Sequence, residues 1–163
     1  MTLSELMSGR NINADFKGQI TSDDMVLAVN LNNAESVGGY IVAQPFIAEH
    51  SGTIESESTG SQYIRTGKTK TRTGATRSIN VNGDRYAGDP FQDGLLAHGI
   101  KYGKGSDVVK DYVYFAIQNG KGEKGQVTID VSEDAAGAAG ENASFTATLT
   151  SVGTPAEWTY SAG

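Results

Sequence analysis

The sequence predicts a mainly β chain, an antiparallel run of strands interrupted once by a helix. Three observations carry that expectation. Glycine is abundant, at 21 residues, while proline is scarce, at 3. The apolar residues mostly alternate with Thr, Ser, Asn and Lys, which is the period of a pleated strand and not of a helix. A single segment carries both a helix start and a helix stop signal.

Along the chain, Met25, Leu27, Val29 and Leu31 alternate with Asp24, Val26, Ala28 and Asn30, so one pleat face is the more apolar. "YIVAQPFI" at 40–47 is apolar on both faces, and Pro45, which cannot donate to a ladder, places its end at a sheet edge or bulge. "RSINVNGDRY" puts Ile79 and Val81 on one face and is expected to break at Asn82-Gly83, a dipeptide suited to turns. The helix is expected over 89–99. Asp89 would cap it, Pro90 would open its first turn, Gln92 would complete a capping box and Gly99 would end it, with Phe91, Leu95 and Leu96 on one face. "DYVYFAIQNG" at 111–120 is the strongest strand, with Val113, Phe115 and Ile117 opposite Tyr112, Tyr114 and Ala116, and is placed centrally. "GKGEKG" reads as a tight connection into "QVTIDV", where Val127, Ile129 and Val131 point inward. A Gly/Ala-rich loop at 132–142 then leads to "ASFTATLTSVG", in which Phe145, Ala147 and Leu149 alternate with threonines.

The 163 residues suit one domain, 1–163, because a domain near that size buries roughly two-thirds of its unfolded surface. A net charge of -6 argues against a chain-wide grip on DNA or acidic lipid. The absence of cysteine removes disulfides, thiolate metal sites and cysteine nucleophiles together. Apolar runs such as "MVLAV" fall far short of the ~20 residues of a membrane helix, and "MTLSELMSGR" lacks the pattern of an export signal.

Against that acidic background, Arg65, Lys68, Lys70, Arg72 and Arg77 gather in "YIRTGKTKTRTGATRSINVNG". A phosphate loop built on Gly67-Lys68-Thr69 would need a glycine where the chain has Gln62, and a helix where it has a Thr-rich alternation. A reader of single-stranded nucleic acid would need several stacking aromatics, and the strip contains only Tyr63. Upstream, Glu49, Glu55 and Glu57 form an acidic stripe, with Glu55 and Glu57 on one side of an extended segment, while Lys68, Lys70 and Arg72 share one side of the next. These are two arms of a long, core-poor excursion over 50–76. It is expected to be mobile in a monomer and to dock on another copy. Deleting about 51–73 should then leave a folded chain.

His50 and His98 lack companions at metal-ligand spacing, Asp23-Asp24 and Glu133-Asp134 are neighbours that point to opposite faces, and no serine nucleophile motif appears. No catalytic residue, cofactor or metal is assigned, and a non-enzymatic role is expected.

From about Gly38 onward the order of parts resembles the major tail tube proteins of long-tailed, siphovirus-like bacteriophages: "GYIVAQPF", a charged excursion, "RSINVNG", "DPFQDGLLAHG", "DYVYFAIQNGKGEKGQVTIDV" and a closing "ENASFTATLTSVGTPAEW". The resemblance implies an antiparallel β-sandwich or barrel with one flanking α-helix and a long charged loop or hairpin. It also implies a structural virion protein that assembles as hexameric rings stacked into a hollow tube, through which DNA passes without specific binding. The excursion would be the inter-subunit loop, which makes Glu55, Glu57, Arg65, Lys68, Lys70 and Arg72 candidate interface residues. Implied partners are its own copies, a tape-measure protein, a terminator and tail-tip proteins. Residues 1–33 match nothing in that order and are read as a candidate arm to a neighbour. The competing classes are a β-sandwich binding module, which clustered exposed aromatics would favour, and another virion part such as a decoration or tail-completion protein.

Overall fold

The computed structural model describes residues 1–161. Eight strands hydrogen-bond as one antiparallel sheet: β1 (Met25–Val29), β2 (Ile41–Val42), β3 (Ile47–Tyr63), β4 (Gly67–Asp84), β5 (Val109–Ala116), β6 (Lys121–Ala136), β7 (Ser144–Ser151) and β8 (Ala156–Thr159). Their spatial order is β2-β1-β5-β6-β7-β4-β3, with β8 joined to the start of β6. The chain is thus mainly β, and the alternatives of sandwich and barrel resolve into one continuous sheet with helices packed on it.

The alternation places the side chains as the sequence requires. Leu27, Val29, Ile79, Val81, Tyr112, Tyr114, Val127, Ile129, Phe145, Ala147 and Leu149 line one face, which we call inner. Two short helices cover that face, α2 (Pro90–Leu95) and α3 (His98–Lys101), through Phe91, Leu95, Leu96 and Ile100. On the opposite, outer face, Val26, Ala28, Val113 and Phe115 are covered by the N-terminal helix α1 (Leu3–Met7), written αN below, together with Tyr40, Trp158 and Tyr160. Strands β1 and β5 are therefore buried on both faces. Residues 1–33, read from sequence as a candidate arm, supply Leu3 and Met7 to this layer and β1 to the sheet of the same chain.

Five local expectations are corrected. The helix expected over 89–99 is two helices: Asp89 does cap the Gln92 amide at 3.1 Å, but helix α2 ends at Leu95, and Gly99 lies inside α3 instead of ending the first helix. Gln92 completes no capping box. Its fully buried side chain turns away, accepting from Tyr86 N at 2.8 Å and donating to Asp84 O at 2.9 Å, so it ties the exit of β4 to the helix. Gln92→Ala is expected to cost about 1–3 kcal/mol, because it orphans both backbone groups, as a urea titration would show.

Asn82-Gly83 is not a turn. β4 runs through it to Asp84, and the glycine is needed because a Cβ there would collide with the Phe46 carbonyl, where Ile47 pairs with Gly83. "GKGEKG" is largely strand, since β6 begins at Lys121 and a Cβ on Gly122 would run into the Tyr114 carbonyl on β5. The expected loop at 132–142 shrinks to 137–143, because β6 continues to Ala136 through two register shifts against β7.

β2 stands at one sheet edge and stops before the cis Gln44–Pro45 bond, as Pro45 requires. The other edge is β3, and beyond the pairing of β4 with β7 over 78–84 the two long strands, β3 and β4, leave the body as a ribbon.

Candidate assembly surface

The charged excursion is an antiparallel hairpin, paired from Ile47↔Gly83 to Tyr63↔Gly67 with one-residue bulges at Ala48 and Thr73. A three-residue turn, Ile64-Arg65-Thr66, closes it, with Gly67 at φ 76 in the left-handed conformation that such a turn requires. Thr, Ser and Gly alternate with charges along both strands, so the ribbon has no core of its own, and the residues of 52–73 are all exposed.

At the root the ribbon is fastened on the inner face. Arg77 forms an ion pair with Glu123 of β6, and its guanidinium lies 5.2 Å from the Tyr114 ring centroid. Gly52 faces this pair: a Cβ would stand 3.1 Å from the Tyr114 ring and 3.2 Å from Arg77 Cζ. His50 meets Tyr114 edge-on at 5.9 Å. Burial pushes the Tyr112 and Tyr114 phenols above their ordinary range, and the Glu123 charge adds to the shift while Arg77 opposes it.

Beyond the root the two faces diverge. Glu55 pairs with Thr76 and Glu57 with Gly74, on the outer face; Arg72 pairs with Ser58, Lys70 with Gly60 and Lys68 with Gln62, on the inner face. The switch is made by one extra residue, Thr73, between the pairs Glu57↔Gly74 and Ser58↔Arg72. Acidic and basic stripes thus lie on opposite sides of one ribbon, and cannot neutralise each other within it. Among the described residues the ion pairs are Arg77–Glu123, Arg85–Asp93 and Lys101–Asp134, none of which uses the stripes.

No protein-family model and no curated protein matches the chain. Solved structures do. The chain is similar to one in the tail of an empty gene transfer agent particle, refined with sixfold symmetry, at 17% identity over 88% of this chain and 100% of that one, with a TM-score of 0.63. The chain has the fold of a tail protein. It is also similar to a chain of the PVC sheath-tube complex, an extracellular contractile injection system, at 12% identity over 98% of this chain and 99% of that one, with a TM-score of 0.52. A third similarity is to a chain of the tube-terminating cap of the anti-feeding prophage, at 14% identity over 94% and 99%, with a TM-score of 0.51.

Within this tail fold all six sequence-predicted residues, Glu55, Glu57, Arg65, Lys68, Lys70 and Arg72, project from one hairpin, with Arg65 in its turn. Their division between two faces was not legible, since it depends on the bulge. Sequence reasoning also missed two apolar features. Ile64, with a relative exposure of 103%, stands beside half-exposed Tyr63 at the tip. At the root, half-exposed Phe46 and Tyr86 stack with centroids 4.7 Å apart. Neither lies in an alternating pattern, so only exposure could reveal them.

Proposed function

We propose that this chain is a structural virion protein that polymerises as stacked, sixfold rings into the hollow tail tube through which DNA is delivered. One observation carries the reading: the shared fold extends over the whole length of a chain taken from a sixfold tail. The hairpin is the contact that bridges copies, because a charged ribbon of this length with no core of its own has a use only against another surface. The role is non-enzymatic. Partners beyond its own copies are a tape-measure protein, a terminator and tail-tip proteins, and the chain is made in the host cytoplasm before joining the virion.

The channel wall is the outer sheet face beyond αN. There Thr128, Asp130, Thr146, Thr148, Thr150, Ser78 and Asn80 project from β6, β7 and β4. These hydroxyl and amide groups, with the one carboxylate of Asp130, form no cation row that would retain phosphates, so DNA can slide along them. Negative-stain electron microscopy of the purified protein, with light scattering, tests the reading. Hollow tubes with a regular axial repeat, shortened or lost in high salt, are the expected result. Monomers that persist at high concentration and in the presence of purified tail tips would sink it.

A further inference from the structure

We infer that the hairpins pair with one another: the basic face of one copy's hairpin lies against the acidic face of a neighbouring copy's hairpin, in a head-to-tail contact. The inference rests on the tube reading and adds the partner surface.

Three observations carry it. First, Lys68, Lys70 and Arg72 are exposed, in register on one face, and bound to no carboxylate among the described residues. Second, several other strand carboxylates are occupied: Glu123 by Arg77, Asp134 by Lys101, Glu49 by Ser51 and Asn82, and Glu133 by Thr146 at 3.4 Å. Among the described residues Glu55 and Glu57 are the two unengaged carboxylates that stand two residues apart on one strand face. Third, both rows have the same pitch, about 6.6–6.8 Å for every second strand residue, so two adjacent cations of the basic row can each meet one of the two carboxylates.

The Thr73 bulge makes the contact intermolecular. Had β4 kept the register of Glu57↔Gly74, Arg72 would face Thr59, and the basic row would share the glutamates' side, where the charges could satisfy each other within one ribbon. With the bulge each ribbon carries one donor face and one acceptor face. Such a surface adds copies in one direction and is not consumed by a twofold dimer.

The chain has no cysteine, which permits a direct test. Gln62→Cys lies on the basic face opposite Lys68, and Thr76→Cys on the acidic face opposite Glu55. The two positions are seven residues apart along β3, about 23 Å, so a short bis-maleimide cannot join them within one chain. The double variant treated with that linker should give a ladder of covalent multimers on a denaturing gel, while each single variant stops at dimers. Tubes without a ladder would overturn the hairpin pairing and leave the tube reading standing; a ladder without tubes would do the reverse.

Reciprocal charge reversal gives the second arm. Lys68→Glu, Lys70→Glu and Arg72→Glu together, or Glu55→Lys and Glu57→Lys together, should each lower the assembled fraction by roughly tenfold. A one-to-one mixture of the two proteins should recover most of it, because each supplies the face the other needs. A mixture as inactive as either variant alone would overturn the proposal. So would reversed variants that assemble normally but lose retention of DNA on a filter, which would assign the basic face to a polyanion.

Discussion

Replacing residues 55–76 by Asn-Gly is expected to leave a folded, soluble protein that no longer assembles. The cut follows the register: Ile54 pairs with Arg77, so a two-residue turn joins them without disturbing any pair nearer the body. Deleting 51–73, the stretch that charge patterning alone would remove, is less suitable. Ser51 pairs with Asn80 and Thr73 adjoins Gly74, so that deletion would take β3's share of the root and leave β4's. The root matters because Gly52, Arg77, Tyr114 and Glu123 pack together there. The removed ribbon is exposed throughout 55–73 and contributes little apolar burial, so the melting temperature should change by less than about 5 °C. Assembly should fall below detection by electron microscopy and sedimentation. A shortened protein that unfolds would show that the hairpin stabilises the body, and one that still forms tubes would remove the hairpin from assembly.

The strands were legible where each side chain had a single face to choose. Phe145, Ala147 and Leu149 alternate with threonines in the sequence, and in the sheet the three are fully buried while the threonines face outward. The helix start was legible because Asp89 and Pro90 act through their own backbone. What the sequence concealed depends on partners distant in the chain. Gly83 reads as a turn residue, yet it is glycine because the Phe46 carbonyl passes over it. Gln92 reads as the far member of a capping box, yet Asp84 and Tyr86 claim its amide. The six candidate interface residues were legible as a charge anomaly in an acidic chain. Which faces they occupy was not, since Thr73 is a bulge only relative to β3, and no local pattern within β4 marks it.

These facts divide the molecule into a body and a ribbon with opposite rules. In the body, side chains on both faces of β1 and β5 are satisfied within the chain by αN on one side and by α2 and α3 on the other. In the ribbon, pairing satisfies the backbone only between the two strands, and the outer edge of β3 lies open over its length. Long open edges invite uncontrolled pairing unless charges or bulges restrict it, and this edge has both: Glu55 and Glu57 in β3, and bulges at Ala48 and Thr73. The features that would direct assembly are those that guard against aggregation.

The body's two-sided burial can be measured on one strand. Phe115 is fully buried on the outer face of β5, with Trp158 edge-on at 5.4 Å and Tyr160 stacked at 5.9 Å. Phe115→Ala should cost about 3–5 kcal/mol, because the site is walled by sheet on one side and by αN and β8 on the other, and cannot collapse to fill the cavity. Leu149→Ala, on the inner face of β7, should cost about 2–5 kcal/mol by the same mechanism. The two differ in what they disturb. Trp158 is the sole tryptophan and belongs to the outer cluster alone, so its emission should move to the red in Phe115→Ala and stay in place in Leu149→Ala while both remain folded. Loss of β8 contact would follow, since four residue pairs and this aromatic cluster hold that strand to β6. Equal shifts in the two variants would mean that the inner and outer layers act as one core. A destabilisation below about 1 kcal/mol in Phe115→Ala would mean that αN and β8 move in to fill the space, so that the outer layer is a covering and not a second core.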